Sequence, residues 1–383
     1  ALDASWSFFA DGLLASSDSH NFKFGVNYES FGVDWTTVRN GGFSYYDDSW
    51  YCDSLDDYFD EPFCGVFSSD WGGEWDLHGE MSGLHAYAQD AWKVGNFAIN
   101  LGVRYTQYDG KFTNVSGTVY DESVWAPRLG IVWDVTGSGR AALKFHYGRY
   151  YEGMAVTLYD REESGQALSD TEYYDYNFDT GEFDIPAGGA IEARAMMNEK
   201  IEHPYVDQFI ATFEYQLGRD MLLGLDYVNR ENHDINAMVV SNVGDYDSLI
   251  APDNPLGDGG LPFFDLLYPQ ENLITNPAEA TRKYDSFTLR MHKRYSGGWS
   301  LDGSFVWSEL TGTADYGYSG YGTGFDDLNG FVNADGKLPD NSEWVFKVSG
   351  SVDLPWRMML SGFYQYRAGE FWTPYAVVEG LYY

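Results

Sequence analysis

Apolar and polar positions alternate strictly along the stretch from Tyr205 to Arg230. Phe209, Ala211, Phe213, Tyr215 and Leu217 share one side of an extended chain, and Gln208, Thr212, Glu214 and Gln216 share the other, with Ile210 as the exception. Gly218-Arg219-Asp220 then interrupts the pattern. Beyond it Met221, Leu223, Leu225 and Tyr227 take one face, and Gly224, Asp226 and Arg230 share the other with Leu222 and Val228. Period-two alternation on both sides of a tight turn predicts a β-hairpin. A helix would scatter the same apolar residues around its circumference. Each arm runs for about ten residues, the span of a tilted strand crossing a bilayer, whereas soluble strands are nearer five or six.

The same plan recurs along the chain. Trp6, Phe8 and Ala10 alternate with Ser5 and Ser7, and Phe22, Phe24, Val26 and Tyr28 with Lys23, Gly25, Asn27 and Glu29. A strand around Leu84 to Lys93 turns at Val94-Gly95-Asn96. Phe97, Ile99, Leu101, Val103 and Tyr105 then alternate with Ala98, Asn100, Gly102, Arg104 and Thr106. Further strands are predicted around Arg128–Val135, Leu143–Gly148, Ser286–His292, Trp299–Ser308, Trp344–Leu354 and Leu360–Arg367. The pattern assigns Phe97, Ile99, Leu101, Val103, Phe213, Leu225, Leu289 and Phe305 to lipid. It assigns Asn100, Arg104, Glu214, Arg290, Asp302 and Lys347 to the lumen. Arg104, Arg290 and Arg367 are expected to pair with Asp226, Asp302 and Asp353 across neighbouring strands, and His146 and His292 to be wall residues on the lumen side.

Twelve strands and six tight turns result, with turns of two to about seven residues and loops of about fifteen to fifty. All the short connections fall at one end. Bacterial outer-membrane barrels have this asymmetry, with short periplasmic turns and long extracellular loops. A soluble propeller or sandwich would not put every long loop at one end and polar residues on its inner side. The segment from about Asn236 to Arg282 carries five prolines and is not one continuous strand. The fold class is therefore all-β: an antiparallel transmembrane β-barrel segment over 1–383, expected to be incomplete at both ends. No signal peptide opens the chain and no obvious closing strand ends it.

Composition agrees. Aromatic residues are 18%, glycines number 43, and mean hydropathy is only -0.39. A wall with lipid on one side and water on the other needs that mixture, with aromatic girdles at both interfaces. The formal charge of -36 argues against nucleic acid as a partner. Its acid gathers between the strands. Asp47, Asp48, Asp53, Asp56, Asp57, Asp60 and Glu61 crowd one loop, where calcium could relieve their repulsion. Screening by salt is the plainer expectation. No other cofactor is indicated. Cys52 and Cys64 lie in that same loop, and a disulfide closing it suits an oxidising compartment. No HExxH, Walker loop or GxSxG elbow occurs, which argues against an enzyme.

A family resemblance rests on an ordered series of motifs. Leu84-His85-Ala86-Tyr87-Ala88-Gln89-Asp90-Ala91-Trp92 and Asn100-Leu101-Gly102-Val103-Arg104-Tyr105 resemble consecutive strands of TonB-dependent receptors. Ala126-Pro127-Arg128-Leu129-Gly130 and Tyr147-Gly148-Arg149-Tyr150-Tyr151 continue in order. Pro204-Tyr205-Val206-Asp207-Gln208-Phe209, Asn276-Pro277, Arg282-Lys283-Tyr284-Asp285, Lys293-Arg294-Tyr295-Ser296-Gly297-Gly298-Trp299, Phe346-Lys347-Val348-Ser349-Gly350 and Asp353-Leu354-Pro355-Trp356 resemble the Oar-like branch. The resemblance spans roughly Leu84 to Pro374. It implies a 22-stranded barrel in the bacterial outer membrane, a plug domain inside it, and a TonB-type energy-coupling partner. The plug and the coupling segment are not among these residues. The expected function is a transporter barrel moving a bulky ligand. The alternative is a structural or adhesive surface protein that binds a neighbouring protein through its acidic, aromatic loops.

Overall fold

The computed structural model describes residues 1–37, 43–47, 66–70, 75–112, 120–152, 173–177, 180, 182–188, 195–198, 200–241, 246–250, 262–266, 272–314 and 334–371. Twelve long strands form one antiparallel sheet. They are β1 (Leu2–Asp11), β2 (Ser19–Thr37), β3 (Trp75–Val94), β4 (Phe97–Phe112), β5 (Tyr120–Asp134) and β6 (Ala141–Tyr151). Next come β7 (Tyr205–Leu217), β8 (Met221–His233), β9 (Arg282–Ser296), β10 (Trp299–Gly312), β11 (Trp344–Leu354) and β12 (Met358–Arg367). Each pairs with its neighbour in sequence, so spatial order equals chain order; the short segment Gly336–Lys337 adds to β10. All twelve are the strands that the alternation predicts.

Six short turns join β1 to β2, β3 to β4, β5 to β6, β7 to β8, β9 to β10 and β11 to β12, all at one end of the sheet. Val94 pairs with Phe97, leaving a two-residue turn in which Gly95 has φ 54°. Glycine at the first position of such a turn takes a positive φ without a Cβ clash. The last turn is different. Trp356 (φ 67°) and Arg357 (φ 63°) take left-handed geometry with full side chains, and Trp356 is 84% exposed.

The strands run further than the alternation reaches. The connection between β4 and β5 is expected to be about twenty residues, yet β4 continues to Phe112 and β5 begins at Tyr120. Ladder hydrogen bonds carry on above the apolar band, where both faces are wet or covered by protein and no alternation is required. β2 and β3 overrun in the same way, pairing from Ser19–Lys93 to Thr37–Trp75. Short strands also form in the long connections. Ala195–Met197 pairs with Asn272–Thr275, which pairs with Ala237–Val240. Cys52, Cys64, Asp48, Asp53, Asp56, Asp57, Asp60 and Glu61 lie outside the described residues. Asp47 ends the short strand Phe43–Asp47, and its side chain is likewise outside them.

Among the described residues, fully buried side chains cluster toward the loop end. Met81, Tyr120, Ile201, His203, Ile235, Ala237, Ile274 and Ala314 are all under 9% exposed. The large apolar residues of the strands are exposed instead: Phe213, Leu225, Leu289 and Phe305 are among them. A soluble protein would hide such a surface; a bilayer accepts it.

Candidate functional site

Register and alternation sort the side chains into two faces. Phe97, Ile99, Leu101 and Val103 on β4 lie opposite Trp133, Ile131, Leu129 and Pro127 on β5. One row runs Leu143, Phe213, Leu225, Leu289, Phe305, Phe346 across six strands, β6 to β11. All eight residues assigned to lipid share this face. The other face carries a row Ala142, Glu214, Gly224, Arg290, Ser304, Lys347 across the same strands. Asn100 opposes Gly130, and Arg104 opposes Ala126, on that same side. Asp302 pairs with His292 there.

The polar face holds an alternating charge chain at mid-height. Lys144 Nζ lies 2.7 Å from Glu214 Oε2, and Arg290 Nη2 lies 3.4 Å from Glu214 Oε1. Arg290 also donates to Asp226 twice, Nε to Oδ2 at 2.5 Å and Nη2 to Oδ1 at 2.9 Å, while Thr212 donates to Asp226 at 2.7 Å. Gly224 makes this possible. It sits between Glu214 and Arg290 in register, and a Cβ there would lie 3.1 Å from Arg290 Nη2. The guanidinium reaches its carboxylates across that gap, and its planar fork suits the bidentate contact.

Of the three arginines and three aspartates expected to pair among themselves, only Arg290 and Asp226 do so. Arg104 donates to Thr106, Arg367 donates to Ser342 and pairs with Glu370, Asp302 pairs with His292, and Asp353 accepts from Tyr295. The register sets Asp302 directly opposite His292 on the adjacent strand, while Asp353, at the turn end of β11, is reached by Tyr295 from β9 across the start of β10. Exchanging Arg290 for Met should destabilise the barrel by about 1–2 kcal/mol, discounted for a guanidinium that is 43% exposed. Urea unfolding of the full-length protein in lipid vesicles measures it, and the loss should shrink as salt rises.

Charges on the apolar face were not foreseen. At the loop end Arg149 makes a bidentate pair with Asp207, at 2.9 and 2.8 Å, and lies 3.9 Å over the Tyr205 ring. Asp285 accepts from Tyr227 at 2.7 Å and Asn229 at 3.0 Å. At the turn end His20 lies 2.6 Å from Asp90 and 3.3 Å from Asp18, stacked between Phe22 and Trp92. These groups bracket the apolar band. From Phe209 to Leu217 it measures about 27 Å along the strand, or about 20 Å along the normal at a typical tilt. Tyrosine beside an acidic residue on an otherwise apolar face, as at Tyr205 and Asp207, was the available signal.

A second polar centre closes the loop end. Three acceptors converge on Asn276 Nδ2: Glu202 O at 2.9 Å, Asp234 O at 2.6 Å and Asn236 Oδ1 at 2.6 Å. Asn276 Oδ1 in turn accepts from Glu202 N at 2.7 Å. One side chain thus ties together the segments before β7, after β8 and before β9. Pro277 beside it keeps the backbone out of helix.

A continuous antiparallel sheet with one apolar and one ionised face, and all its short turns at one end, is the wall of a transmembrane β-barrel. The chain belongs to the outer membrane beta barrel domain family, whose model matches residues 107–371, and its place is the bacterial outer membrane. It is 24% identical over 259 residues to the TonB-dependent transporter Oar of Myxococcus xanthus, covering 59% of this chain and 23% of Oar. The siderophore receptor PiuA of Acinetobacter baumannii aligns with a TM-score of 0.50 at 10% identity, over 95% of this chain and 45% of PiuA. The outer membrane transporter YddB of Escherichia coli aligns at 0.46 and 13% identity, over 88% and 41%. The chain therefore spans less than half the length of each of these relatives.

Proposed function

We propose that this chain is barrel wall from an energised, TonB-dependent outer-membrane transporter of the Oar-like kind, moving a bulky ligand. In this reading Phe97, Ile99, Leu101, Val103, Phe213, Leu225, Leu289 and Phe305 meet lipid. Asn100, Arg104, Glu214, Arg290, Asp302 and Lys347 face a wet lumen, where a polar plug domain packs and a TonB-type protein supplies the energy. The observation that carries the reading is the charge chain Lys144–Glu214–Arg290–Asp226. Mutually satisfied charges suit contact with water and a polar plug better than contact with a lipid-like ligand. A barrel of about 22 strands has a lumen wide enough to need such a plug. The likeness to Oar supports transport over a purely adhesive role and over an enzyme.

Planar-bilayer conductance of the full-length protein tests it. A plugged transporter gives small, rare openings that grow when the plug is deleted. A large, permanently open pore from the full-length protein would leave a porin or scaffold instead.

A further inference from the structure

His203 lies just before β7, outside the strands, and is 1% exposed. Three tyrosines enclose its ring. Tyr108 from β4 stacks on it at 5.0 Å, and Tyr120 from β5 and Tyr151 from β6 approach at 5.8 Å. Both ring nitrogens are engaged. Nε2 meets the carbonyl oxygen of Glu152, and Nδ1 meets the hydroxyl of Tyr120. That hydroxyl also lies 2.6 Å from Glu122 Oε2.

Counting protons gives the consequence. A carbonyl only accepts, so Nε2 carries a hydrogen. Tyr120 owns one hydroxyl proton and faces two partners, Glu122 and Nδ1. That proton satisfies one contact; the other needs a second proton, on Glu122 or on Nδ1. Burial holds His203 down to about 4, which disfavours the imidazolium. The second proton therefore sits on Glu122. With that proton bound, the bonds run one way, from the Glu122 carboxyl to Tyr120, from Tyr120 to Nδ1, and from Nε2 to Glu152; without it, Tyr120 donates to the Glu122 carboxylate and leaves Nδ1 facing an acceptor.

We propose that this trapped proton is a latch: with it bound, the chain after β6 and the chain before β7 are fastened to β5, and its loss at higher pH unfastens them. The other titratable groups around the cluster are Glu29, His85, Arg104 and Tyr108 from β2 to β4, Tyr151, Glu152, Glu202 and Tyr205 from the β6 and β7 side, and Asp234 after β8. Burial raises the hydroxyls of Tyr108 and Tyr205, which stay neutral through the range concerned. Burial raises the Glu122 carboxyl most, hydrogen bonds from Tyr120 and the His203 backbone work against it, and the nearby charges of Glu202 and Asp234 raise it further, so the net direction is upward and favours keeping the proton. The carboxyl of Glu152 is the one rival: burial raises it to about 7.

The Glu152 amide reports the latch, because it donates to Pro204 O at 3.1 Å across the fastened segments. Hydrogen exchange of the full-length protein in lipid vesicles, as protection factors between about pH 5 and about pH 9, spans the carboxyl and imidazole range. The wild type should lose about tenfold in protection at Glu152 across that range, one buried hydrogen bond's worth. E122Q supplies a permanent donor to Tyr120 and should stay protected at both ends. Y120F should exchange fast at both ends. E152Q should keep the wild-type step. A step that persists in E122Q, a step that vanishes in E152Q, or a wild type with no step would each overturn the proposal. If Y120F fails to fold, the two glutamine variants still decide.

Discussion

Replacing Asn276 with alanine is expected to loosen the whole loop end while leaving the transmembrane strands paired. The side chain gathers Glu202 O, Asp234 O and Asn236 Oδ1 and takes the Glu202 amide in return. Alanine removes all four contacts and replaces none. Asn236 is 1% exposed beside Ile235 and Ala237, so its stranded amide oxygen is closed to water, the Asp234 carbonyl is partly so, and only the Glu202 contacts lie at the wet edge. Each lost bond costs about 1 kcal/mol net and each stranded buried group about 1–3, so a local loss of roughly 3–5 kcal/mol is expected. Asn276→Asp should be nearly as damaging, because a carboxylate offers no donor to three acceptors. Amide exchange at Glu202 in the full-length protein checks this. Protection unchanged in the alanine variant would show that the apolar cluster alone holds the segments.

The sequence disclosed the strands because a bilayer demands sharp contrast between faces. Phe97, Ile99 and Leu101 against Ala98, Asn100 and Gly102 leave one register, and the structure adopts it. Contrast ends where the bilayer ends. Thr106, Tyr108 and Gly110 continue β4, yet Gln107 and Asp109 between them are polar too, so the extension to Phe112 gave no signal. The polar centres were legible in proportion to their locality. Arg290 and Asp226 lie on adjacent strands and were both in the set of arginines and aspartates expected to pair, although their partnership was not singled out. Tyr120 and His203 are 83 positions apart and meet only because β6 returns the chain to the loop end, which no spacing rule anticipates. Asn276 lay between these extremes. Its Asn-Pro motif marked the place, but the three segments it joins are brought together only by the sheet.

Leu225→Arg is expected to be the most costly substitution in the apolar band, and its cost tests which face meets lipid. Leu225 lies between Phe213 and Leu289 in register and is 47% exposed on the face assigned to lipid. Its row from Leu143 to Phe346 contains no ionisable group. A guanidinium there has no carboxylate partner in its row and sits near mid-band, so about 2–4 kcal/mol of barrel stability should be lost. Leu101→Arg should cost less although it lies on the same face, because its register partner on β3 is Asp90. Thr288→Arg, on the opposite face beside Asp226, should be close to neutral, since water and a carboxylate both receive it. Urea unfolding of the three full-length variants in lipid vesicles gives the order directly. Thiol probes on single-cysteine variants supply the independent check: a water-borne reagent should label position 288 much faster than position 225. Equal costs at 225 and 288, with equal labelling, would mean that both faces meet water, and the transmembrane wall would have to be given up.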